Sequence, residues 1–277
     1  MIYTRFHGRT GNQMFQYAAG RALALELGTD VVLDDRLAIA KGERSLTRIW
    51  DLPTVEAPMP PSKHDRPVAY TLWRHFGRNP TYVREKGLGF NAGFFDLPDD
   101  SYLHGYWQSE KYFGRHSAQI RQDFALPAPT GRNAELADQI AQAPSVSLHV
   151  RRGDYVGNAT HGICDQAYYD RALQALLPQL SDAPVIYVFS DEPDWARDNL
   201  ILPGQKVVID HNGEDADFED MRLMSLCDHN ILANSSFSWW GAWLNANPDK
   251  IVVGPKTWFS NPKLSNPDIL PQDWLRV

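Results

Sequence analysis

The second half of the chain alternates short apolar runs with helical stretches, and this alternation constrains the fold more tightly than any other feature. SVSLHV at 145–150, VIYVFS at 185–190, KVVID at 206–210, HNILAN at 229–234 and IVVGP at 251–255 read as strands. Helical spacing fills the gaps at 166–180, from about Pro193, at 218–226 and after Ser236. Five strands alternating with four helices describe a doubly wound α/β domain, in which ligands sit outside the carboxyl ends of the strands.

The first half opens with the same grammar and then loses it. A strand pattern at 1–6 leads through GRTGNQ into MFQYAAGRALALEL, a helix that Gly28 ends, and then into the strand VVLDD. From about 38 to 126 no regular period emerges; the stretch includes the Pro-rich APMPPSKHDRP and the aromatic HGYWQSEKYF. LPAPTG at 126–131 reads as a linker, so two domains are expected, 1–127 and 128–277. A length of 277 residues suits two cores.

A net charge of −7 without a basic run argues against a nucleic-acid partner, since duplex binding rests on many phosphate contacts. An anionic ligand must therefore be small and locally held. Cys164 and Cys227 are too few for a disulfide framework and badly spaced for structural zinc, which points to a reducing compartment. The charged N-terminus does not read as a signal peptide, and no window approaches the roughly 20 apolar residues of a spanning helix. The cytoplasm is the expected location, including the inner face of the membrane, with membrane association peripheral at most.

The strand ends carry the candidate chemistry. In HVRRGDYV, side chains alternate, so Ser147, His149 and Arg151 share one face while Val146, Leu148 and Val150 take the other. Arg151 then stands at the carboxyl end of its strand, with a guanidinium fork suited to a diphosphate. Arg152 points away and is expected to brace the turn by pairing with Asp154, and Gly153 permits the bend. In LANSSFSWWGAWLN, hydroxyls crowd a helix start, which reads either as an anion site or as capping. Trp239, Trp240 and Trp243 read as packing. Asp191, in SDEPDW, could accept from a ribose or purine, or could cap the following helix.

Four ordered motifs, GNQMFQYAAGRALA, GYWQSEKYF, HVRRGDYV and NSSFSWWGAWLN, resemble the bacterial α-1,2-fucosyltransferases of glycosyltransferase family 11. The resemblance implies a GT-B-like α/β fold, two Rossmann-like domains facing across a cleft, with the acceptor on the N-terminal side and a GDP-sugar on the C-terminal side. It implies an inverting transfer of L-fucose from GDP-β-L-fucose, a substrate rather than a cofactor, to the 2-hydroxyl of a terminal galactose on an oligosaccharide or lipid-linked glycan. No metal or cofactor is implied. Carried over by motif, Arg151 holds the donor β-phosphate and is the catalytic residue, and His149 and Asp191 are donor contacts. Ser235, Ser236, Phe237 and Ser238 form a phosphate-binding turn, and Asn12 reaches toward the donor. Arg9 and Thr10 stand where the family usually carries Gly-Leu.

The proton acceptor is not singled out by the sequence: Glu110, Asp96, His7 and the leaving phosphate are all open. Trp107 and Glu110 are acceptor-side candidates, with Trp73 a further aromatic. DAD at 215–217 matches a metal-binding D-x-D pattern, but it opens a helix, where acids favour the positive end. Transfer from another GDP-sugar, and a non-catalytic carbohydrate-binding protein, are the alternatives.

Overall fold

The structure, a computed structural model, describes residues 1–277. It divides into two compact units, Met1–Ala125 with Asn266–Pro271, and Leu126–Ser265 with Gln272–Val277.

The first unit is built on β1 (Ile2–Arg5), α1 (Thr10–Leu27), β2 (Val31–Asp34), α2 (Arg36–Ala40), α3 (Pro67–Phe76), β3 (Thr81–Arg84), β4 (Ser101–His104) and α4 (Ser117–Asp123). Its sheet runs β2-β1-β4-β3, and every pairing is parallel. Helix α1 is buried along most of its length, because its small residues let the strands approach. At Gly20 a Cβ would lie 1.9 Å from Thr4 Oγ1, so only glycine fits there. Gly28 ends α1 in the left-handed conformation, φ 64°. Tyr17 donates to Asp123 Oδ2 at 2.7 Å and Arg21 Nε to the same oxygen at 3.1 Å, tying α4 to α1.

The second unit contains α5 (Gly131–Ala141), β5 (Ser145–Val150), α6 (Gln166–Leu176), β6 (Val185–Ser190), α7 (Pro193–Asn199), β7 (Lys206–Ile209), α8 (Asp217–Leu226), β8 (His229–Ile231), α9 (Ser236–Leu244), β9 (Val252–Gly254) and β10 (Leu275–Arg276). Its parallel sheet has the order β10-β9-β8-β5-β6-β7. Strand β5 is buried on both faces, as expected when helices cover both sides of a parallel sheet. Val146, Leu148 and Val150 pack with Tyr168, Tyr169, Leu173 and Leu176 of α6. The opposite face of the sheet meets α5 and α8 through Tyr187, Phe189, Leu136, Ile140 and Leu223. Trp239, Trp240 and Trp243 are at most 2% exposed, so α9 is anchored by its indoles.

Two features depart from the sequence reading. A sixth strand, β10, pairs with β9 close to the end of the chain. Residues 266–271 pack with the first unit, although the reading assigned all of 128–277 to the second. Asn266 Nδ2 donates to Gln108 O at 2.8 Å and Asp268 accepts from Phe90 N at 2.9 Å, contacts that no local pattern announces. Both cysteines are free thiols, and no helix is long and apolar enough to cross a membrane.

The tight α1–β1 approach yields a test. Gly20→Ala should destabilise the chain by about 1–3 kcal/mol through overpacking against Thr4. Adding Thr4→Ala, which also removes a buried hydroxyl that has no hydrogen-bond partner, should recover part of the loss in urea unfolding. Full additivity of the two losses would show that the two positions do not touch.

Candidate active site

In the second unit the chain passes from β5 outward to β6 and β7, then returns to the other side of β5 with β8, β9 and β10. The strand order therefore reverses between β5 and β8, and in open α/β sheets the carboxyl ends at such a reversal form the ligand-binding crevice. HVRRGDYV leaves the end of β5, and NSSFSWW follows β8 and starts α9. The ring centroids of His149 and Phe237, from these two motifs, lie 5.7 Å apart.

Arg151 is held before any ligand arrives. Its Nη1 lies 3.1 Å from Asp191 Oδ2, its Nη2 pairs with Asp154, and its guanidinium carbon sits 5.2 Å from the centroid of the Tyr155 ring. The arginine side chain is 13% exposed, Asp191 22% and Asp154 53%, so Asp154 is the solvated partner. Asp191 Oδ1 also accepts the backbone N–H of Arg152 at 2.9 Å. A Cβ at Gly153 would lie 2.5 Å from Asp191 Oδ2, so the turn needs glycine for this carboxylate to close in.

Arg152 does not pair with Asp154 as the sequence suggested. Its Nε donates to Glu192 Oε2 at 2.9 Å and its guanidinium stacks 3.7 Å from the centroid of Trp195. The alternation that turns Arg151 toward the site turns Arg152 toward α7, where those two residues wait. Asp191, expected as a nucleotide contact, has protein partners on both oxygens and acts on Arg151 and on the turn.

His149 is 5% exposed, and burial first, then the nearby Arg151 charge, lower its pKa to about 3. It is therefore a neutral imidazole, and its Nδ1 has no hydrogen-bond partner within the protein. The turn after β8 is fastened by Asn234, whose Nδ2 donates to His161 O at 2.9 Å and Trp258 O at 3.1 Å. Ser235 caps α9 by accepting from Phe237 N at 3.3 Å, and Ser238 Oγ donates to Ser235 O at 3.3 Å. Two of the hydroxyls thus shape the helix start, while Ser236 and Phe237 are half-buried in its first turn. Asp215 lies in the 3-10 turn Glu214–Ala216 and Asp217 begins α8.

The first unit has its own strand-order reversal, between β1 and β4. Arg5, His7, His104 and Tyr106 gather there. Arg5 Nη1 lies 3.3 Å from His104 Nδ1 and 3.4 Å from Tyr70 Oη, and Tyr82 Oη bonds His104 Nδ1. The His7 ring stands 4.5 Å from Tyr106 and 5.6 Å from His104. Burial, reinforced by Arg5, lowers His7 to about 4 and His104 to about 3, so both rings are neutral. Glu85 accepts from Tyr106 N at 2.6 Å and Trp107 N at 3.0 Å, and burial raises it to about 7. It clamps a turn in which Trp107 has φ 54°.

The acceptor-side residues picked from sequence fall around this cluster with different roles. Trp107 is 3% exposed and packs against Phe94 and Tyr112, so its ring is core and not a platform for a sugar. Glu110 opens a short 3-10 turn capped by Ser109, Asp96 is exposed, and Trp73 is half-buried with Nε1 donating to Pro80 O. Asn12 Oδ1 accepts from Gln108 Nε2 at 2.8 Å, which fixes it within the first unit. Arg5, Glu85, His104 and Tyr106 were missed. Arg5 closes β1, a strand the sequence did show, whereas Glu85, His104 and Tyr106 lie at or just past the ends of β3 and β4, whose TYVR and SYLH carry no apolar run.

Residues 78–277 match the family described as Glycosyl transferase family 11, and the chain belongs to that family. It is 32% identical to an Escherichia coli "Alpha-1,2-colitosyltransferase", with 100% of this chain and 99% of that protein covered. It is 30% identical to the Escherichia coli "O-antigen biosynthesis glycosyltransferase WbnK", covering 94% and 95%. To the Bos taurus "Galactoside alpha-(1,2)-fucosyltransferase 2" it is 28% identical, covering 86% and 67%. Among solved structures it is similar to NodZ alpha-1,6-fucosyltransferase co-crystallised with GDP, with TM-score 0.51, 12% identity, and 87% and 91% of the chains covered. A GDP complex of a mutant Arabidopsis thaliana FUT1 gives TM-score 0.50 at 11% identity, covering 91% and 69%. At the level of fold the chain is α/β and GT-B-like.

The depressed pKa of His149 has a definite sign. The unfolded chain binds a proton at this side chain near pH 6.5 and the folded chain does so only near 3, so the contribution to stability is complete above pH 6.5 and is lost as pH falls. Replacing His149 with Asn should make the acid-side loss shallower by about 1.4 kcal/mol per pH unit between pH 6 and 4. Urea unfolding at stepped pH reads this, and parallel profiles would mean that the ring is already charged in the fold.

Proposed function

We propose that the chain is an inverting, metal-independent glycosyltransferase that moves L-fucose from GDP-β-L-fucose to the 2-hydroxyl of a terminal galactose. The observation that carries the reading is the emergence of Arg151 and the 235–238 turn on either side of the same strand-order reversal, between β5 and β8. The GDP diphosphate lies against this edge, with Arg151 directed at the β-phosphate and the amides at the start of α9 available to its oxygens. His149 offers a neutral ring nitrogen to the donor. As the glycosidic bond breaks, negative charge grows on the β-phosphate oxygen. An arginine already fixed in place stabilises that charge more in the transition state than in the ground state. The position of Asp215 and Asp217 at a helix start, where acids complement the helix dipole, supports doing without a metal.

The acceptor galactose is held by the first unit, at the edge lined by Arg5, His7, His104 and Tyr106. The neutral imidazoles and phenols there can exchange hydrogen bonds with sugar hydroxyls, and Arg5 adds a charged donor beside them. Glu85, poised near neutrality, joins the candidates for receiving the acceptor proton. The acceptor is a galactose-terminated oligosaccharide or lipid-linked glycan, and the enzyme works in the cytoplasm.

A second reading is favoured by the full-length identity to a colitosyltransferase. Colitose is L-fucose without its 3-hydroxyl, so the two donors differ by one hydrogen-bonding group. A site that pairs a substrate hydroxyl rejects the analogue lacking it by about 10⁴-fold, so competing the two GDP-sugars decides between the readings.

Arg151→Lys should lower kcat by about 10²-fold or more with an unchanged circular dichroism spectrum, because an ammonium cannot reproduce the fork. Turnover near that of the parent would remove the central role of Arg151, and loss of activity in excess EDTA would remove the metal-free mechanism. The two carboxylates beside the arginine should separate by titration calorimetry with GDP. Asp191→Asn should weaken binding about tenfold by loosening the guanidinium, whereas Asp154→Asn should leave it unchanged or tighter by relieving repulsion with phosphate. The reverse order would make Asp154 the positioning group.

A further inference from the structure

Helix α3 carries apolar side chains on two opposite faces. Tyr70, 6% exposed, and Trp73 point inward and meet the rings of Tyr82 and Tyr102. Val68, Leu72 and Phe76, four residues apart, are 73%, 56% and 79% exposed, and they form one outward stripe a little over two turns long. A helix that is apolar on its solvent side as well as its core side is one that expects a further partner. The surrounding charge identifies that partner. Between 63 and 78 the chain has Lys63, Arg66, Arg74 and Arg78 against the single carboxylate of Asp65, in a protein whose net charge is −7. Lys63, Arg66 and Arg78 are exposed, as is His75 beside the stripe, while Arg74 lies over the Tyr82 ring.

We propose that α3 is a membrane-docking element that lays Val68, Leu72 and Phe76 into the surface of an anionic lipid bilayer while the flanking cations contact its headgroups. An apolar stripe rimmed by Lys and Arg is the pattern of interfacial helices, and ten residues make a helix too short to cross a bilayer. The same rim disfavours a symmetric contact between two copies of this chain, which would bring cation against cation. The docking does not depend on which sugar is transferred, and its test needs no activity.

The full chain is sedimented with vesicles of phosphatidylglycerol and phosphatidylcholine in equal parts, and with vesicles of phosphatidylcholine alone. Binding is expected on the anionic vesicles and should weaken with added salt. The triple variant Val68→Ser, Leu72→Ser, Phe76→Ser should bind about tenfold more weakly, and Arg66→Glu with Arg78→Glu should lose the preference for anionic lipid. These side chains are exposed, so thermal unfolding should match that of the parent. Equal binding by parent and triple variant, or no binding by the parent, overturns the proposal. So does light scattering that finds a parent dimer and a monomeric triple variant, because the stripe would then be a contact between copies.

Discussion

The pairing of Arg151 with Asp191 is the interaction on which the second unit's site depends. Strands β5 and β6 run in parallel register with Val150 opposite Ser190, so the next residue of each strand is the arginine and its carboxylate. The register that assembles the sheet therefore also sets the guanidinium. Because the arginine is mostly buried, removing its partner would leave a poorly solvated charge, and the arrangement is costly to break. Gly153 completes it by leaving room for the carboxylate beside the turn. A cation fixed by the scaffold has already given up its side-chain freedom on folding, so an anion bound there would not have to offset that loss.

Both units use the same topological device for different chemistry. Each sheet reverses its strand order next to its central strand, and each reversal gathers polar side chains at the carboxyl edge. In the second unit the edge offers a fixed cation and the start of a helix, which suit a diphosphate. In the first it offers His7 and His104, whose burial keeps them uncharged, together with phenols. Arg5 is the one cation among them, and its charge, added to burial, is what keeps the two imidazoles neutral.

The second unit was largely legible in the sequence because β5 and β6 are long enough to show their period and the shorter strands are apolar runs set between clear helices. SVSLHV and VIYVFS are six residues each, and their bounds in the structure are those read from the chain. Residues at their ends could then be assigned to a face. The first unit resisted because β3 and β4, TYVR and SYLH, mix polar and aromatic residues without an apolar run, and only a short 3-10 turn and irregular chain lie between them. Without the strands, the edge formed by His104, Tyr106 and Glu85 had no address. Side-chain pairing was the other blind spot: Asp154 is two residues from Arg152 and three from Arg151, and spacing alone favoured the wrong one. The partner of Arg152 proved to be Glu192, forty residues away, which only the pairing of β5 with β6, and the start of α7 just after β6, supplies.

The two adjacent arginines at the end of β5 have separate tasks, and the separation follows from the pleat. Arg152, on the face opposite Arg151, uses Glu192 and the Trp195 ring to fasten the start of α7. Its backbone N–H meanwhile binds the oxygen of Asp191 that Arg151 does not use. The second arginine thus steadies the carboxylate that steadies the first, and each guanidinium has carboxylates of its own, so the like charges are neutralised where they stand. Replacing Arg152 would therefore disturb the site through the position of Asp191, and the doublet works as a unit in which one arginine faces the carboxyl edge of the sheet and the other holds the bracket behind it.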